Sequence, residues 1–225
     1  MAITRVGETE GSAIDDADIT LDLTAISLLE NDVVVIAASG GTVAPAMTTA
    51  GYTQTGVNAG LLAWKRMSAS PDSSALIDIT GTGGAVASAA VAIAFRGVDT
   101  TTAMDATITS ATGSSTNPDS PSITTVTDGA AVISAMASLV SDASVTAPSG
   151  YGDQVDINSS DTLSATAGMA WLTKASAGAE NPASWTNVST GAWVAFTVAL
   201  RPVAAPPAGV SPNAKGRLAI LGARP

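Results

Sequence analysis

Along this chain apolar positions gather in short runs separated by Gly, Ser, Asp, Asn and Pro, and a helical period is almost nowhere to be found. Stretches rich in alanine and β-branched residues occupy positions 33–37, 61–67, 75–80, 89–96, 130–137, 168–174 and 193–200. Short strands at this spacing, with turn residues between them, predict an all-β sandwich or barrel. The last stretch shows the pleat most clearly. In AWVAFTVALR, Val194, Phe196, Val198 and Leu200 fall on one face, and Trp193, Ala195, Thr197 and Ala199 on the other. Residues 3–6 and 19–23 predict one or two further edge strands.

The pattern also repeats. ENDVVVIAAS (30–39) corresponds to TDGAAVISAM (127–136), and AGYTQ (50–54) to SGYGDQ (149–154). LLAWKRMSAS corresponds to GMAWLTKASA, which matches Trp64 with Trp171. AVAIAFRGV (90–98) corresponds to AFTVALRPV (195–203). Two halves of about four strands each can be assembled as two small sandwiches or interleaved as two Greek keys in an eight-stranded jelly roll. Each half holds too few bulky residues to fill a core alone, and the Thr/Ser-rich join at 99–121 reads as a long crossover loop. The expectation is therefore a jelly-roll-like antiparallel β-sandwich of two similar halves over residues 1–203.

After Arg201 the alternation stops. PVAAPPAGVSPNAKG contains four prolines and reads as an extended linker, so residues 204–225 are set apart as an arm. The chain carries 19 acidic and 9 basic residues, yet no acid follows Glu180. Lys215, Arg217 and Arg224 surround the short apolar run of Leu218, Ile220 and Leu221. A basic, partly apolar end on an acidic chain is expected to lie along a neighbouring subunit, filling a groove or adding a strand to a sheet edge.

Composition removes several other chemistries. A formal net charge of −10 argues against nucleic acid or an anionic membrane as partner of the body. Histidine and cysteine are both absent, which takes away the commonest general base, the usual triad base, the commonest metal ligand and any thiolate site. No catalytic constellation, metal site or cofactor is expected. The N-terminal segment has no apolar signal-peptide core, and apolar runs such as 89–95 and 130–133 are far shorter than the ~20 residues that span a bilayer.

Trp64 and Trp171, matched in the repeat, read as framework, and Tyr52 and Tyr151 as corner residues fixed by hydrogen bonds. Trp193 lies opposite Phe196 with Ser88 as its counterpart and is the candidate interface aromatic. Trp185 has no assigned place. Asp15, Asp16 and Asp18 read as a solvated acidic loop without EF-hand spacing, and the glycines of 81–84 as a turn without the Lys-Ser/Thr of a phosphate loop. Asp72, Asp78 and Asp156 are isolated.

The succession ENDVVVIAAS, GYTQ, LLAWKRM, AVAIAFRGVDTTTAMDA, TDGAAVISA and WVAFTVALRP resembles a group of bacteriophage virion proteins of jelly-roll type. Residues 95–99 (FRGVD) and 196–202 (FTVALRP) carry the resemblance most specifically, and it covers roughly residues 2–203. It implies a non-enzymatic component of the particle surface, assembled in the host cytoplasm. The first expectation is a capsid decoration protein that forms homo-oligomers and is anchored to other virion proteins, the major capsid protein or tail components, by its C-terminal arm. The second is a tail module that recognises host-surface glycans.

Overall fold

A computed structural model describes residues 2–15, 17–40, 44–58, 60–79, 86–140, 145–160, 164–187 and 189–204. Among these the regular elements are all strands. The first half supplies β1 (Thr4–Ala13), β2 (Ile19–Asp22), β3 (Val33–Gly40), β4 (Ala46–Met47), β5 (Thr53–Val57), β6 (Gly60–Arg66), β7 (Ser74–Asp78) and β8 (Ser88–Arg96). The second supplies β9 (Thr109–Ser115), β10 (Ile123–Thr125), β11 (Ala130–Ser138), β12 (Gly152–Ser159), β13 (Ala165–Lys174), β14 (Gly178–Glu180) and β15 (Gly191–Leu200). Their pairings are antiparallel throughout.

The two halves follow one plan. The first builds a five-stranded sheet in the order β1-β8-β3-β6-β5, the second one in the order β9-β15-β11-β13-β12. A small sheet, β2-β7-β4, covers the outer face of the first, and β10-β14 lies over the second. The large sheets stack face to face, with β1 on β12, β8 on β12 and β13, β3 on β13 and β11, and β6 on β11 and β15. Each strand thus lies over the counterpart of the strand at the opposite end of its own sheet. That is the arrangement produced by a pseudo-two-fold axis between β3 and β11.

The all-β antiparallel sandwich of two similar halves is therefore what the chain forms, without interleaving of the halves. Every strand of a large sheet comes from one half. The shortage of bulky residues is met instead by pointing them into one shared core. Val33, Val35, Val91, Ile93, Phe95, Ile133, Met169, Phe196, Val198 and Leu200 meet between the large sheets. The alternate positions of β8 and β15 carry Ala90, Ala92, Ala94, Ala195 and Ala199, turned toward the outer covers. A sheet buried on both faces reads as a continuous apolar run, and small residues on one face let the four layers approach closely.

Two sequence expectations change in detail. The join is no simple crossover loop: it holds β9, an edge strand on β15. The repeat alignment at β3 is also one residue out. Val35 pairs with Trp64 and Ile133 with Trp171, so Val35 corresponds to Ile133 rather than to Val132. Asn31 and Gly129, both at positive φ (71° and 77°), mark the same turn at the same spacing. A one-residue slip would have sent the core face outward.

Candidate functional site

Lys215, Arg217, Leu218, Ile220, Leu221 and Arg224 lie outside the described residues. The root of the arm lies within them and is firmly held. Val98 bridges Pro202, the Asp99 amide donates to the Arg201 carbonyl (2.8 Å), and the Val203 amide donates to the Gly97 carbonyl (2.9 Å). The two segments that carry the sequence resemblance, 95–99 and 196–202, thus meet at the end of the sandwich where the chain leaves it. Gly97 is needed there twice over. Its φ is +85°, and a Cβ would stand 2.6 Å from the Ala2 carbonyl oxygen.

The charge around this root is organised. Arg96 pairs with buried Asp32 (2.7 Å), and its counterpart Arg201 pairs with buried Asp105 (3.2 Å). Asp105 also accepts from the Val126 and Thr127 amides. Arg66 donates to the carbonyls of Asn31 and Asp99. Hydrogen bonds from Thr101 and Thr102 hold the exposed Asp99 carboxyl down at about 2. Lys65 with Asp72, Lys174 with Glu180, and Arg5 with Glu8 and Asp153 complete the set. All six basic side chains of the body are engaged.

Trp193 sits on β15, next to the edge strand β9, on the outer face of the second sheet. Its ring covers Gly113, which has no side chain to stand in the way, and its indole N–H donates to Ser115 Oγ (3.0 Å). It packs beside Met136, Ala170, Ala195 and Trp185. The ring is partly buried and its polar atom is satisfied. Trp185, unplaced by the sequence, is the fully buried centre of that outer layer. Its N–H donates to Ser134 Oγ (2.8 Å), which in turn meets Ser120 Oγ (2.7 Å).

Trp64 and Trp171 both face the space between the large sheets, at opposite edges of the sandwich. At one edge β1 packs on β12 and the space is closed. Trp171 stands edge-on to Phe95 (centroids 5.4 Å apart) and donates to Asp153 (3.0 Å), which faces Arg5 at 3.7 Å. At the other edge, β5 and β9 stand apart across a groove of about 550 Å³. Trp64, Met104 and Ile108 form its apolar floor, and Thr53, Thr55, Thr107 and Ser110 its hydroxyl-bearing rim.

The edge strands differ to match. β1 carries Arg5, Glu8 and Glu10, and β12 carries Asp153 and Asp156, whereas β5 (TQTGV) and β9 (TSATGSS) hold no charged residue. Sequence reasoning missed this groove because Trp64 was equated with Trp171. The charge content of the four edge strands was the available signal, and it became readable only once they were known to be edges.

Of the remaining candidates, Tyr151 donates to Glu180 (3.4 Å), and burial pushes its hydroxyl well above the usual range. The buried Tyr52 hydroxyl has no partner among the described residues, and Lys65 lies 5.4 Å from its ring. Asp18 accepts from the Ile79 amide (3.0 Å) and so fixes a loop, while Asp16 and residues 81–84 fall outside the described set. Among the described residues no three His, Cys, Asp or Glu side chains are grouped to hold a metal. Asp72 and Asp156 are occupied separately, by Lys65 and Gln154. Compared with known proteins, the chain matches no family model, no curated protein and no solved structure.

Proposed function

We propose that this chain is a non-enzymatic structural protein of a bacteriophage virion, a capsid decoration protein whose C-terminal arm grips neighbouring virion subunits. The observation that carries the reading is the clamped root of the arm. Residues 97–99 and 201–203 are bound to one another by backbone hydrogen bonds. The chain beyond therefore leaves from a fixed point on a four-layer body. The body's basic side chains are engaged in its own contacts, and Lys215, Arg217 and Arg224 are assigned here to a partner's carboxylates. The resemblance of 95–99 and 196–202 to jelly-roll virion proteins supplies the context, and a rigid body of low aromatic content suits side-by-side packing of many copies.

The test is deletion of residues 207–225 followed by measurement of particle occupancy. Incorporation is expected to fall to background, and undiminished incorporation overturns the reading. A second reading, a tail module that binds host glycans, draws on the Trp64 groove. It predicts saturable binding on a glycan array that is lost in Trp64→Ala.

A further inference from the structure

We infer that the uncharged edge of the sandwich receives the C-terminal arm of a second copy, residues 218–222 adding a strand in the cleft between β5 and β9. This rests on the proposed anchoring role and names its receiving surface.

Unpaired sheet edges invite another strand, and proteins protect them with charge. Here one side of the sandwich is protected and the related side is not. β1 and β12 bring five charged residues to their edges, and Arg5 and Asp153 meet across the gap. β5 and β9 bring none. Each of these two pairs with a single neighbour among the described residues, β5 with β6 and β9 with β15, so each leaves a row of backbone N–H and C=O groups unmatched. Their side chains lining the cleft, Thr53, Thr55 and Ser110, are small, neutral and exposed, as are Thr112 and Ser114 at alternate positions further along β9. The cleft offers rows of backbone donors and acceptors over an apolar floor, and its lining contains no carboxylate or amide that could read the hydroxyl pattern of a sugar. That chemistry recognises an extended, uncharged stretch of polypeptide.

The arm contains one such stretch. After Arg217, LAILG (218–222) is free of proline and of charge and places Leu218 and Ile220 on one face of a strand, over the same length as the five residues of β5. What separates it from the body favours a second copy over its own. The described chain ends at Ala204, four residues after Leu200, and Leu200 bridges Met104 on the cleft floor. Residues 205–216 include three prolines, the composition of a stiff spacer rising ~3.1 Å per residue, or roughly 35 Å in all. A spacer of that reach overshoots a cleft that begins beside its own root.

The chain has no cysteine, which makes the contact directly testable. Full-length Thr55→Cys and full-length Ile220→Cys chains are mixed and mildly oxidised, with Glu10→Cys on the charged edge as the control partner. Docking places the two thiols at millimolar effective concentration, so the Thr55/Ile220 mixed disulfide is expected to exceed the Glu10/Ile220 one by ~10-fold or more. Adding Ser110→Lys to the Thr55→Cys chain is expected to abolish the excess, with an unchanged melting temperature showing that the fold is intact. Equal yields from the two edges overturn the inference. So does a disulfide that closes within one doubly substituted chain at the same rate on dilution, and so does saturable oligosaccharide binding in the cleft without cross-linking. If the arm is required for particle occupancy but no preferred cross-link forms, the anchoring role stands and this receiving surface falls.

Discussion

The two halves of the molecule share a strand order and differ in how they finish it. In the first half the outer face of the large sheet is covered by many aliphatic side chains, among them Ile19, Leu21, Leu23, Ile77 and Ile79. In the second the cover near Met136, Ala170 and Ala195 centres on one fully buried ring, Trp185, with Val145, Tyr151 and Trp193 packed around it. At the inner face the matched tryptophans differ in the same way. Trp171 is fixed by Asp153 and Phe95, while Trp64 floors an open groove. A common backbone plan sets which positions face which layer. The side chains placed there decide whether a layer is sealed by many aliphatic side chains, by a cluster centred on one ring, or left open.

The largest effect that would break this comparison is expected from Trp185→Ala. Removing a fully buried ring costs about 3–5 kcal/mol and lowers the melting temperature by on the order of 10 °C. Thermal unfolding checks it against Leu21→Ala, whose cover is shared. If Leu21→Ala proves the more damaging, the second half is less dependent on a single side chain than its packing indicates. A smaller contrast is expected inside. Trp171→Phe loses the hydrogen bond to Asp153 and costs roughly 1 kcal/mol, whereas Trp64→Phe, with no such bond among the described residues, costs roughly half of that or less. Equal costs from chemical denaturation would remove the distinction between a sealed and an open edge.

The smallest effect concerns the charged edge. Partial burial, with Asp156 and Glu8 nearby, holds the Glu10 carboxyl above its usual range. The folded state then binds the proton more tightly than the unfolded chain, so this group lowers stability as pH rises through its ordinary range toward the raised value. Glu10→Gln is expected to raise the melting temperature by ~1–2 °C at neutral pH, with the gain vanishing below about pH 4. A gain that persists unchanged at pH 3 would assign it to something other than ionisation.

Much of the architecture could be read from the chain because it rests on bulk and alternation. The apolar stretches from 33–37 to 193–200 fall in β3, β6, β7, β8, β11, β13 and β15. The matched tryptophans and the matched arginines, Arg96 and Arg201, occupy equivalent places. What could not be read has a physical reason in each case. β9, TSATGSS, has no apolar face because it is an edge strand with a hydroxyl-lined cleft on one side. The stacking of the halves, as against their interleaving, depends on which strands pair, and period-2 alternation is the same in both arrangements. Trp185 stands outside any strand stretch, so its burial follows from loop placement alone.

The pseudo-two-fold gives one chain two nearly matching sheets, but one C-terminal arm and, among the described residues, one uncharged cleft. Copies joined arm to cleft would make a contact that is not self-complementary, each giving at one place and receiving at another. Such linkage has a direction. It either closes on itself as a ring whose size is set by the angle between arm root and cleft, or it runs on as an open file. The clamp at residues 97–99 and 201–203, by fixing that angle, would set how many copies go round.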